Sequence, residues 1–140
     1  MSKNTKHLPI YKASYELVKL LTDAARNFSR DFRPTLGLTI NREAVDLVLY
    51  VYRANAAENK TELIKQVLEK IQVLEMLVQM SFDLKLISMK IYIACIEITD
   101  SISNQAGGWL KYANKGRIAQ QSTDRRRPDS ECATVRSAAP

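Results

Sequence analysis

Apolar positions along the chain step by three and four residues, and no stretch alternates residue by residue. That period belongs to the α-helix and not to the strand. Ile10, Ser14, Leu17, Leu21, Ala24 and Phe28 form the first line, widened by Leu20, Ala25 and Phe32. It predicts a helix over 10–32, stopped at Arg33-Pro34, because proline lacks an amide donor and restricts the residue before it. After a turn at Thr35 to Gly37, the line Ala44, Leu47, Val51 and Ala54 predicts a second helix over 40–57. Thr39 or Asn41 is its cap, with Glu43 in its first turn. Ile64, Val67, Ile71, Leu74 and Val78 predict a third helix over 62–86. Ser88 is the cap candidate for a fourth over 89–110, which carries Ile91, Cys95, Ile98 and Ile102. Gly107 and Gly108 are expected at its end, where paired glycines permit a left-handed or very close backbone.

Four amphipathic helices with short connections pack most simply as an all-α, antiparallel up-and-down four-helix bundle. The expected organisation is a flexible N-terminus over 1–9, the bundle over 10–115 and a disordered basic tail over 116–140. The tail sequence QQSTDRRRPDSECATVRSAAP has almost nothing to bury. On the second helix Val45, Val48, Leu49 and Tyr52 lie outside the core line. A helix that is apolar on more than one side needs a second neighbour, and in so short a chain that neighbour is expected to be another subunit. Gly107, Gly108 and Trp109 form a second structural or interface element. Trp109 either folds onto the bundle end or inserts against a neighbouring subunit.

Composition bounds the size of the answer. With 140 residues, 46% hydrophobic and 26% charged, the chain is an ordinary globular domain, too short for a two-domain cofactor enzyme. The longest apolar runs, Leu47 to Tyr52 and Ile91 to Ile96, hold six residues each, so no membrane span is expected. The lysines of MSKNTKHLPIYK precede no apolar stretch, which predicts no signal peptide and a cytoplasmic location. Net charge is +6, and residues 1–116 hold 16 Lys or Arg against 12 Asp or Glu. That balance suits an anionic partner, nucleic acid above all. Lys12, Lys19, Arg26 and Arg33 recur every seven positions, with Arg30 four after Arg26, so these side chains share a helical face. Glu16 and Asp23 share it too, leaving Arg26, Arg30 and Arg33 as the net basic part. Two readings stand for these arginines: a solvated helix end favoured by the macrodipole, or an anion contact. Lys111, Lys115 and Arg117 make a second basic cluster.

No catalytic, metal or cofactor set is legible. The one histidine, His7, precedes the first helix, so the Glu-x-x-His pairs of bundle metal sites are missing. Glu97 and Asp100 read as a solvated acidic patch, and Ser88 has no base beside it. Cys95 falls on a core line, and Cys132 lies in the expected tail. Met76, Met80 and Met89 are spaced as core or interface filler.

The aromatic-rich first helix with its FRPTLG turn, the stretch LEMLVQMSFDL and the closing GGWLKY resemble the accessory variability determinant proteins of diversity-generating retroelements. That family lies within a wider four-helix-bundle group that includes proteins encoded by intervening sequences of ribosomal RNA genes. The resemblance spans about residues 8–113. It implies a homopentameric barrel with a basic surface, a non-catalytic protein that binds the element's reverse transcriptase and its template RNA or an RNA–DNA hybrid. It implies a role in error-prone cDNA synthesis and mutagenic retrohoming. Lys12, Lys19, Arg26, Arg30 and Arg33 carry over as candidate contacts on charge and position. The alternative is an intervening-sequence-type bundle with a non-enzymatic interaction role.

Overall fold

The computed structural model describes the backbone of residues 7–125 and the side chains of residues 7–116. Four α-helices carry it: α1 (Pro9–Arg26), α2 (Leu38–Ala56), α3 (Thr61–Asp83) and α4 (Met89–Arg125). A short π-helical turn, Arg33–Gly37, leads into α2. No strand occurs among the described residues. Helix α1 packs on α2 and α4, and α3 packs on the same two, so the helices stand at the corners of a square in chain order. Residues 57–60 reach no further than about 14 Å, whereas the 23-residue α3 runs about 34 Å. Neighbours joined by so short a link must run antiparallel, and the molecule is a four-helix bundle.

The periodic apolar lines converge as their spacing requires. Leu17, Leu47, Val51, Ala54, Ile64, Val67, Leu74, Cys95, Ile102 and Ala106 are wholly removed from solvent. Truncating a core leucine such as Leu17 or Leu47 to alanine costs about 2–5 kcal/mol. The buried hydroxyls are satisfied within their own helices. Ser14 Oγ donates to the Ile10 carbonyl at 2.8 Å, Ser81 Oγ to Leu77 at 2.9 Å, and Thr99 Oγ1 to Ile96 at 3.0 Å. Lys70 ties α3 to α2 through two ion pairs: its Nζ lies 2.6 Å from Glu43 Oε2 and 3.6 Å from Asp46 Oδ2. The hydrogen bond to Glu43 holds the lysine above its ordinary pKa against the opposing effect of burial.

Several element ends differ from the expected ones. Helix α1 stops at Arg26 and not at Pro34. The Asn27 N–H turns back to the Ala24 carbonyl and the Phe28 N–H to the Ala25 carbonyl, both at 3.1 Å, and the Phe28 side chain is buried just past the helix end. Pro34 instead sits in the first turn of the next helical segment, where its missing N–H leaves nothing unsatisfied. Neither Thr39 nor Asn41 caps α2. The π turn feeds α2 directly, with Gly37 N–H on the Phe32 carbonyl at 2.9 Å, so Thr39 Oγ1 donates back to Thr35 at 3.0 Å. Helix α3 ends at Asp83 and not at 86, because Leu86 N–H returns to the Ser81 carbonyl at 2.8 Å around Lys85 at φ 63°. That is the helix-ending loop usually built with glycine. Ser88 caps α4 as expected, its Oγ accepting from Ile91 N–H at 3.2 Å.

The largest correction lies at Gly107 and Gly108. Both are helical, neither has a positive φ, and α4 passes through them to Arg125. Trp109, Leu110 and Ala113 pack against the core beyond the pair, which offsets the weak helix propensity of glycine. The segment expected to be a tail over 116–140 therefore begins inside α4, and its residues 126–140 lie outside the described residues.

Candidate functional site

The candidate basic residues fall into two end clusters, with Lys12 and Lys19 spaced along α1. At the α1–α2 corner, Arg26 ends α1 and Arg33 opens the π turn. The chain reverses between them, so both line one groove with Thr22, Ala25, Pro34, Gly37, Leu38 and Asn41. The groove holds about 350 Å³. Its floor is apolar and its guanidinium-bearing residues are exposed. Asn41 contributes a polar atom, Oδ1, that is buried without a hydrogen-bond partner. Arg30 lies exposed in the intervening turn.

The three arginines differ in their engagements. Arg26 makes a loose pair with Asp23 at 3.5 Å, and both side chains are solvated, so the pair holds the guanidinium weakly. Arg33 Nε donates to the Phe28 carbonyl at 2.8 Å and so satisfies a backbone acceptor left by the end of α1. Arg33 thus carries a structural duty as well as a charge. Lys12 and Lys19 lie on the exposed face of α1, and Lys19 Nζ stands 5.3 Å from the centre of the Tyr15 ring. Tyr15 stacks on Tyr11 at 6.4 Å and remains 51% exposed. An exposed aromatic under a lysine has the chemistry on which a base could stack, and charge counting alone does not single it out. The one-turn spacing of Tyr11, Tyr15 and Lys19 was the available signal.

Lys111 and Lys115 project from α4 one turn apart, both exposed, while the Arg117 side chain lies outside the described residues. They follow Trp109, which is half-buried against its own core, with its ring 5.9 Å from Lys60 Nζ. Lys60 in turn donates to the Ala54, Asn55 and Ala57 carbonyls at 3.0, 2.8 and 3.0 Å, capping the C-terminus of α2. Trp109 therefore marks the α2–α3 end of the bundle. The arginine corner lies at the other end, about 28 Å away along the 19-residue α2. The structure does not join the two basic clusters into one patch.

Val45, Leu49 and Tyr52 are 48%, 43% and 55% exposed, Val48 is half-buried, and Leu38 extends the stripe. Glu97 and Asp100 are exposed on α4. Among the described residues no cluster of three or more His, Cys, Asp or Glu is placed to hold a metal ion. No described helix is long and apolar enough to cross a membrane. Protein-family models and curated protein sequences were both compared with the chain, and neither comparison gave a match.

Proposed function

We propose that this chain is a non-catalytic accessory protein of a diversity-generating retroelement, assembled as a homopentameric barrel and acting in the cytoplasm. In this reading it binds the element's reverse transcriptase and the template RNA or RNA–DNA hybrid, and so supports mutagenic cDNA synthesis and retrohoming. The polymerase and the pentamer come from the family resemblance. The observation that carries the anionic partner is the α1–α2 corner, where Arg26 and Arg33 line one groove and Arg30 stands exposed beside it. Guanidinium groups spaced along a groove suit successive phosphates. A ring of subunits repeats each corner, so individually weak contacts add along one strand.

Arg26→Ala with Arg30→Ala is the variant of choice, because Arg33 also holds the Phe28 carbonyl. Titration against RNA and, separately, against the polymerase at two salt concentrations tests the reading. Wild-type RNA affinity should fall steeply with salt, and the double variant should bind more weakly with a salt slope smaller by about one per lost phosphate contact. Loss of polymerase binding with RNA binding intact assigns the corner to protein recognition. No change in either titration removes the corner from function and returns its arginines to solvation and helix capping.

A further inference from the structure

The outer side of α1 gathers its aromatic and most of its basic side chains into one strip. At about 100° per residue, Tyr11, Thr22, Tyr15, Arg26 and Lys19 fall within about 80° of arc, in that order around the helix. The acidic residues of α1 lie off the strip: Asp23 and Glu16 follow at about 120° and about 140° from Tyr11, beyond Lys12 at about 100°. Along the axis the strip runs about 22 Å from Tyr11 to Arg26. Tyr15, Lys19 and Arg26 are exposed, and Tyr11 is half-buried. Thr22 and Arg26 also line the α1–α2 groove, so the strip opens into it. The turn beyond adds Arg30 and Arg33 against Asp31, all three exposed.

The rings and the cations ask for different parts of one ligand. The Tyr11 and Tyr15 rings lie within 19° of parallel with centroids 6.4 Å apart, an offset stack that leaves ring face open. Lys19 Nζ stands 5.3 Å from the Tyr15 centroid. As a hydrated ammonium on a flexible stem, it yields that face to a flat ring at little cost. A base that takes the face brings its own phosphate beside the displaced ammonium. Arg26 is held only by its loose pair with Asp23, so its guanidinium turns to a phosphate as readily. A duplex cannot use the tyrosines, because neighbouring pairs cover its base faces. An unpaired strand offers a π-face and a phosphate at every step. At the rise of about 3.4 Å per stacked nucleotide, the strip matches about six of them.

We infer that this strip of α1 is a stacking track for single-stranded nucleic acid. Unpaired bases lie on Tyr15 and Tyr11, Lys19 and Arg26 hold the phosphates between them, and the strand continues into the α1–α2 groove. This inference rests on the nucleic-acid reading proposed above and names the form of the ligand, a single strand and not a duplex.

The test titrates the full chain against three ligands: a single-stranded RNA of about twelve nucleotides, twice the length of the strip, its duplex with the complementary strand, and an abasic strand of the same length. The wild type should bind the first more tightly than the other two. Tyr15→Ala should weaken single-strand binding about fivefold or more, the loss of one stacked base, and leave the duplex and abasic affinities unchanged. Its salt slope should equal that of the wild type, because no phosphate contact is lost. Tyr15→Phe keeps the ring and should bind as the wild type does. Tyr15 is 51% exposed, so helix content by circular dichroism should not change, and Tyr15→Leu replaces the alanine variant if that one fails to fold. Equal weakening on all three ligands makes Tyr15 a structural residue and overturns the inference. A wild type that prefers the duplex overturns it, as does a Tyr15→Ala chain that binds the single strand like the wild type. If Arg26→Ala with Arg30→Ala still weakens binding in those cases, the nucleic-acid reading stands without the track. A wild type that binds none of the three ligands overturns that reading and the inference together.

Discussion

Cys95 lies on the apolar line of α4 with no solvent contact. Burial makes the thiolate unfavourable and pushes the thiol up from 9.0 to about 11. At neutral pH the thiolate fraction is roughly one in ten thousand, which leaves the sulfur inert. Iodoacetamide should therefore leave Cys95 unmodified in the folded protein and alkylate it once the protein is unfolded, as read by peptide mass mapping. Rapid native labelling would show that the α4 core opens readily. The same shift carries a pH signature. The folded state keeps a proton that the unfolded chain releases above 9.0, so this group's contribution is complete below that pH and is lost as pH rises towards 11. The stability advantage of the wild type over Cys95→Ala should thus shrink between about pH 9 and about pH 11 in urea unfolding. A constant gap would mean the thiol titrates normally in the fold.

At the scale of the element, what binds α4 together is packing and not propensity. Gly107 and Gly108 are poor helix formers, yet a β-carbon on either would meet nothing within 4 Å. Neither position needs glycine for space or for a left-handed backbone. Gly107→Ala and Gly108→Ala should each stabilise the protein by about 0.5–1 kcal/mol, read by thermal unfolding, by reducing the freedom of the unfolded chain. Destabilisation would instead indicate that α4 bends there. This pair shows where sequence reasoning lost its grip. The lines through Leu17, Leu47, Ile71 and Ile102 were legible, because helical period and burial share one cause. The helix ends were not. Proline and glycine report only what the local backbone tolerates, while Phe28 and Trp109, by burying themselves, decided where the chain turned and where it continued. The candidate site suffered from the same turn. Arg26 and Arg33 read as neighbours on one continuous helical face, but they meet at a groove because the chain breaks between them. The unpaired Asn41 carbonyl oxygen in that corner has no signature in sequence at all.

At the scale of the whole molecule, the candidate arginines and the α4 lysines gather at two ends of the bundle among the described residues, with Lys12 and Lys19 along α1. Arg26 and Arg30 stand at the α1–α2 corner, and Lys111 and Lys115 stand past Trp109 at the α2–α3 end. About 28 Å separates these ends, several times the Debye length of about 8 Å at physiological salt. Charges that far apart barely sense one another through solvent, so under the proposed function each cluster would meet phosphate on its own account. If RNA runs along the bundle, the losses from Arg26→Ala with Arg30→Ala and from Lys111→Ala with Lys115→Ala should add within about 0.5 kcal/mol on a long strand. A short oligonucleotide cannot touch both ends, and on it the combined variant should lose less than that sum. The salt slope offers an independent reading, because each pair of substitutions should lower it by its own count of lost phosphate contacts. If the lysine pair changes neither affinity nor slope, nucleic acid is confined to the arginine corner and the α4 end is left for a protein partner. If the two losses fall well short of additivity on the long strand as well, the clusters compete for one phosphate run brought near both by neighbouring subunits, which would place the two ends of adjacent bundles side by side in the assembly.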